Sequence, residues 1–248
     1  MNYDCDHGLF MALNFDGGPL TDRAMTVVSG TLLWLPLYAL ILWLVYRRGG
    51  WRNLLLFAGC LAAALVLADM FAGIFKHSGV LKHLWADFPP RLRPMFTPSL
   101  EGLSIPADSL IALRRAAVAG DWAVHVPAGA VAGLYGTVSS HAAVIAALAA
   151  LSAPIVRRRW FTVLMILCAL LICYSRIYLA KHFPIDLLLG TAVGLITGRA
   201  MYLLYRRLSR QRDETARAAT PTHERDHRAR KADSDKRRYA TPGSAKRQ

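Results

Sequence analysis

Stretches of about 20 residues with almost no charge constrain this chain more than any other feature, because a run of that length matches the hydrocarbon thickness of a bilayer. Such runs cover Met25–Tyr46, Asn53–Phe75, Ser139–Val156, Trp160–Tyr174 and Phe183–Tyr205. With 54% hydrophobic residues the chain is richer in apolar side chains than an average soluble domain. The expected fold class is therefore all-α: an integral membrane helical bundle of about five transmembrane helices. The first 24 residues, with the apolar set of HGLFMALNF, are expected to lie on the membrane surface as an interfacial helix. Acids in MNYDCDHGLF stand where a signal peptide carries basic residues, so no signal peptide is expected there.

Charge sets the orientation. The turns YRRGGWR and VRRRW and the segment after Tyr205 are rich in arginine and are expected on the cytoplasmic side. Crossing five times then puts the N-terminus, the polar segment 77–138 and SRIYLAKHFP together on the opposite face. The formal net charge of +14 is explained by these flanking residues and by a basic tail. No nucleic-acid partner is expected. Residues 1–207 form the expected membrane domain, and 208–248 a disordered basic cytoplasmic tail that lacks apolar periodicity. The four cysteines show no ligand spacing, so neither a zinc site nor a disulfide framework is expected. Gly190, Gly194 and Gly198 recur every fourth residue, which puts them on one helix face and predicts close helix packing.

Polar residues beside hydrocarbon are the candidates for chemistry. In YSRIYLAKHFPID, residues 174–186, Pro184 suits the first turn of a helix, and His182 and Asp186 then share a face at i, i+4. An aspartate there can accept one imidazole N–H and leave the other ring nitrogen as a nucleophile. Arg176 offers a planar donor fork suited to phosphate. Lys181, at a span end, reads as an interface marker. In YGTVSSHAAVIAAL, residues 135–148, Ser139, Ser140 and His141 stand where an apolar helix begins. The free N–H groups and positive dipole end there form an anion site. Ser139 is expected to N-cap the helix, and His141 can hand a proton to a departing oxygen. Arg91 and Arg93 in FPPRLRPMF, with Lys76 and Lys82 upstream, add cations near the mouth. Asp69, inside the second run, is expected to pair with Lys76 or a neighbouring helix.

Together these pieces resemble the type 2 phosphatidic acid phosphatase superfamily, which includes the vanadium haloperoxidases. Its signature has three blocks, K-x6-RP, PSGH and SR-x5-H-x3-D. The third is matched by Ser175, Arg176, His182 and Asp186. The second is matched in part, with VSSH for PSGH, so that Ser139 and His141 are kept and Ser140 replaces glycine. In the first block Arg93–Pro94 is present, but Ala86 stands where the lysine should fall. Lys76, at the end of the second span, is favoured over Lys82 as its counterpart, with extra residues inserted after it. Ser104–Gly133 also looks inserted. The N-terminal GLFMALNFDGGPLTDRAM, the W-x-P-L-Y after it and the YG-x-VSSHAA form are similar to a bacterial subgroup of short members.

The resemblance implies metal-free hydrolysis of a lipid phosphate or diphosphate through a phosphohistidine, with no cofactor. His182 would attack phosphorus, Asp186 would orient it, and His141 would protonate the leaving oxygen. Lys76, Arg93, Ser139, Ser140 and Arg176 would hold the phosphoryl oxygens. Fixed cations suit a reaction that depends on positioning and charge neutralisation. The implied setting is a bacterial inner membrane, with the site periplasmic and the C-terminus cytoplasmic; the partners are the substrate and membrane lipids. Undecaprenyl diphosphate, released outward, is the first expectation. Lipid A is its nearest rival, followed by phosphatidic acid and phosphatidylglycerol phosphate. The alternative of another class is a non-catalytic lipid-phosphate binding or transport protein, which would not need an oriented nucleophile and a proton donor.

Overall fold

The computed structural model describes residues 4–75, 91–96, 124–128, 130, 133, 135–218 and 234. Lys76, Lys82, Ala86 and most of 104–133 lie outside the described residues, as does the tail beyond Ala218 apart from Ser234. By internal packing the chain falls into two units, Met1–Tyr205 and Arg206–Gln248, and the candidate site belongs to the first.

The described elements are helices α1 (Asp4–Leu13), α2 (Gly18–Ser29), α3 (Leu35–Ile74), α4 (Ser140–Val156), α5 (Arg159–Tyr178) and α6 (Pro184–Ala218), with short 3-10 turns at Leu32–Trp34 and Pro94–Phe96. Three helical stretches, Leu32–Ile74, Arg159–Tyr178 and Pro184–Thr215, are long and apolar enough to cross a membrane, and α4 is a shorter apolar helix. Large apolar side chains such as Val66, Leu188 and Ile196 point outward, 65%, 69% and 70% exposed. Such a surface would be a liability in water and is suited to lipid tails. The all-α membrane class follows.

Two boundaries differ from the sequence expectation. The first apolar run does not form one helix from Met25. Gly30 is extended (ψ 159°) and ends α2 at Ser29, and the Trp34 indole donates to Val28 O at 2.8 Å across the corner. Pro36 then sits in the first turn of α3, where its missing N–H costs nothing. Met25–Val28 therefore belong to the surface helix α2. At the other end, α6 runs on to Ala218, so the first residues of the expected disordered tail are helical. RRLSRQRDETARA is rich in good helix formers, which outweighs its lack of an apolar stripe.

Helix α3 is interrupted in the RRGGWR turn by Gly50, at φ 68° and ψ −172°, a conformation that only glycine adopts without strain. Its buried positions, from Ile41 and Val45 through Phe57, Ala64, Ala68 and Ala72, form one core with Ala147, Leu148 and Leu151 of α4 and Phe161 and Met165 of α5. The Arg48 guanidinium donates to Ile155 O, so the first basic turn lies beside the end of α4 that leads into Arg157–Arg159.

The glycine stripe packs as its spacing predicts. A Cβ added at Gly190, Gly194 or Gly198 would come within 2.4, 2.1 and 2.4 Å of the carbonyl oxygens of Ser139, Ala143 and Ala147. Helix α6 thus lies backbone to backbone against α4. That contact fixes the register of their starts, and Ser139 N–H donates to Asp186 O at 3.1 Å.

Candidate active site

The spacing between Arg176 and His182 is explained by how α5 ends. Beyond Tyr178 the chain curls back over the last turn. Lys181 N–H and His182 N–H both donate to Arg176 O, at 2.9 and 3.3 Å. Ala180 makes this reversal in the left-handed region (φ 51°), which costs a residue with a Cβ roughly 1–2 kcal/mol. Its carbonyl in turn accepts from Met95 N–H at 3.0 Å.

The segment 91–96 is tied to both other motifs. Leu92 forms an antiparallel bridge with Tyr135, and Gly136 N–H donates to Arg91 O at 2.9 Å. Arg93 donates from Nε to Tyr135 O and from Nη1 to Lys181 O, both at 3.1 Å. Both donors end on main chain, so the Arg93 guanidinium is held in one orientation.

His182 is 1% exposed, and its Nδ1 lies 3.0 Å from Gly136 O. A carbonyl oxygen only accepts, so Nδ1 carries the proton and Nε2 keeps its lone pair. Asp186, expected to orient this ring, is the more distant partner, with Oδ2 at 3.5 Å. That oxygen also accepts from Phe183 N–H at 3.0 Å, and Oδ1 faces Arg91 Nη1 at 3.3 Å. Gly136 has no room for a side chain: an added Cβ would lie 2.9 Å from Arg93 Cγ and 3.3 Å from His182 Nδ1.

Ser139 stands at the N-cap position of α4, but its side chain makes no capping bond, contrary to expectation. Its hydroxyl is fully buried and, among the described residues, has no hydrogen-bond partner; the same holds for Arg176 Nε. Arg176 Nη1 donates to Ser29 Oγ at the end of α2. Buried polar groups left this way are candidates to hold the oxygens of a bound anion.

The local charge is predominantly positive. Burial pushes the Arg93 guanidinium down to about 10, with Asp186 opposing. Burial, and then the charges of Arg176 and Arg93, bring the Lys181 ammonium down to about 8. Lys181 therefore lies within electrostatic reach of both arginines. Asp186, the acid nearest them, is already matched by Arg91. The arrangement is a cationic pocket beside the N–H groups that open α4. His141 and Ser140 occupy that first turn, His141 solvent-exposed. Lys76 and the Asp69–Lys76 pairing lie outside this geometry, because residue 76 is not among those described.

Several contacts of the site escaped the sequence reading, which gave Arg91 only as a cation near the mouth. Arg91 bridges Asp186 and Asp6, the latter at 2.6 Å, and stacks 3.9 Å above the Phe183 ring. Asp6 also accepts Ile185 N–H at 3.0 Å, and His7 stacks on Phe183 at 4.6 Å. The surface helix α1 is thereby part of the site's frame. A second network ties the outer segments together. Asn14 Nδ2 reaches Ile177 O and Tyr178 O, while Asp22 accepts from the Tyr178 hydroxyl at 2.6 Å and from His125 Nε2 at 3.0 Å. Asp16, Asp22 and His125 are the group among the described residues whose spacing could gather a metal ion. The Asp22 carboxylate is already engaged there.

An all-helical membrane bundle with a buried, oriented histidine beside a cationic pocket defines a class: membrane phosphatases that work from a fixed anion site. The PAP2 superfamily model matches residues 53–210, more than half of the chain, and the chain belongs to that superfamily and is a phosphatase. It is similar to the lipid A 4′-phosphatase of Bacteroides thetaiotaomicron, 27% identical over 206 residues, spanning 83% of this chain and 79% of the relative. The lipid A 4′-phosphatase of Porphyromonas gingivalis is 24% identical over 202 residues, spanning 82% and 73%. Among solved structures, Aquifex aeolicus LpxE aligns with a TM-score of 0.46 at 22% identity, covering 81% of this chain and 96% of that one.

Proposed function

We propose that the chain hydrolyses the phosphate ester of a lipid A-type glycolipid at the outer face of a bacterial inner membrane, by way of a phosphohistidine on His182. The observation that carries this reading is the His182 ring itself, held through Nδ1 by Gly136 O so that Nε2 is nucleophilic. Nε2 attacks phosphorus, the P–O bond to the lipid breaks, and His141 gives its proton to the departing oxygen. Water then attacks the phosphohistidine, His141 takes a proton from it, the P–N bond breaks and phosphate leaves. Arg93, Arg176, the Ser139 hydroxyl and N–H groups around Ser140 hold the phosphoryl oxygens and balance their charge, as this transfer requires. Lys76 completes the set in this reading. Asp186, kept ionised by Arg91, supports the positive charge that develops on the imidazole.

Two relatives aligned over four-fifths of the chain support lipid A as substrate. Undecaprenyl diphosphate, the first expectation from outward carrier release, has no such support and ranks second. The outer-face placement rests on the basic turns. Arg48 sits beside the Ile155 end of α4, whereas Ser139 opens its other end, roughly 25 Å away at 1.5 Å per residue. Arginine-rich ends face the cytoplasm, so the site faces away from it.

The test is phosphate release by detergent-purified protein in EDTA, from a bis-phosphorylated lipid A and from undecaprenyl diphosphate. Wild type is expected to favour lipid A, and His182→Ala to release none while wild type yields an acid-labile, alkali-stable phosphoenzyme. Full activity in His182→Ala overturns the mechanism, and preference for undecaprenyl diphosphate overturns the substrate reading.

A further inference from the structure

Beside His141 a cleft of about 470 Å³, including its open mouth, enters the apolar part of the bundle. One wall is the corner between α2 and α3, with Ser29, Thr31, Trp34 and Leu37; the other is Ile145 and Leu148 of α4, with Ile172 of α5 behind. Two contacts make it continuous with the pocket for phosphate. His141 lines it directly, and Ser29, at its rim, is the residue that accepts from Arg176 Nη1.

We propose that this cleft is the subsite for the hydrocarbon arm nearest the scissile phosphate, on the leaving-group side. The proposal rests on the reading of His141 as proton donor given above. The oxygen that His141 protonates carries the lipid, so the lipid must depart on the His141 side of phosphorus. The cleft is the apolar space found there. Away from Ser29, Thr31 and His141 its lining is mostly apolar, with Val28, Trp34, Leu37, Ile145, Leu148 and Ile172, as a hydrocarbon arm requires. Ser29 and His141 link it to the cations. The corner at Gly30, which the sequence did not reveal, thereby acquires a role: it folds the end of α2 over the cleft as a wall. Ser29 is a positioning residue in this arrangement, because it fixes the Arg176 fork at the junction of headgroup and chain.

The experiment compares an acylated glucosamine disaccharide 4′-phosphate with the same phosphosugar lacking acyl chains. Both carry the same ester, so only the chain differs. Thr31→Trp adds an indole from an exposed position at the cleft, and Ile145→Trp fills it from the opposite wall. Each is expected to lower the ratio of kcat/KM for the acylated over the chain-free substrate about tenfold or more. The effect should appear mainly in KM for the acylated form. Thr31→Trp, at the exposed position, keeps the test open if Ile145→Trp fails to fold. An unchanged ratio assigns the cleft to resident membrane lipid and overturns the proposal. Wild type that hydrolyses neither compound refutes the proposed function instead, so the two failures are distinct.

Discussion

At the scale of single residues, the site is a balance of charges that an incoming anion completes. Arg176→Ala removes a buried donor at that anion, and kcat/KM should fall about 10²–10³-fold in a phosphate-release assay. Lys181 gives the balance a pH dependence. Its ammonium, brought down to about 8 by burial and by Arg176 and Arg93, is charged below that pH and neutral above it. KM should therefore rise as pH passes through about 8. Lys181→Arg should abolish the rise by keeping the charge, and Lys181→Met should show about tenfold higher KM below pH 8 with no further rise. Steady-state profiles from pH 6 to 10 check all three. From sequence alone, Lys181 read as an interface marker, because nothing in LAKHF shows that the chain curls back over Arg176 and brings this lysine within reach of two arginines.

At the scale of elements, the frame depends on helices that sequence reasoning placed well and on contacts it could not see. The His182–Asp186 pair and the glycine stripe of α6 were legible from local spacing, although His182 itself lies two residues before α6 begins at Pro184. The role of α1 was not, because the Asp6–Arg91 pair joins positions far apart in the chain and leaves no local pattern. Gly136 as the partner of His182 was hidden for a different reason: a main-chain carbonyl acts the same whatever residue carries it. Gly194→Val should drive a side chain into the Ala143 carbonyl, destabilising the fold by about 1–3 kcal/mol or more and lowering the detergent Tm. Arg91→Ala should lower kcat about tenfold by leaving Asp186 without its cation, and Arg91→Lys should recover part of the loss.

At the scale of the whole molecule, the candidate site gathers at one end of the bundle, and the orientation of the bundle decides which side of the membrane that end faces. Exposed Leu20 of α2 lies at the site end, and exposed Arg158 at the other. Cysteines at these two positions, on a cysteine-free background, should react with an impermeant thiol reagent in intact spheroplasts at residue 20 and not at residue 158. The reverse pattern would invert the assigned topology. Beside the ion pairs of Arg91, five bonds that shape the candidate site terminate on peptide oxygen: Gly136 for His182, Tyr135 and Lys181 for Arg93, and Arg176 twice for the curl beneath. Such a chassis is indifferent to the identity of most side chains mounted on it. Descendants could exchange the groups at positions 135 and 181, and so change which headgroup they accept, without re-engineering the machine that cleaves it. Gly136, with no room for even a methyl group, is where that freedom ends.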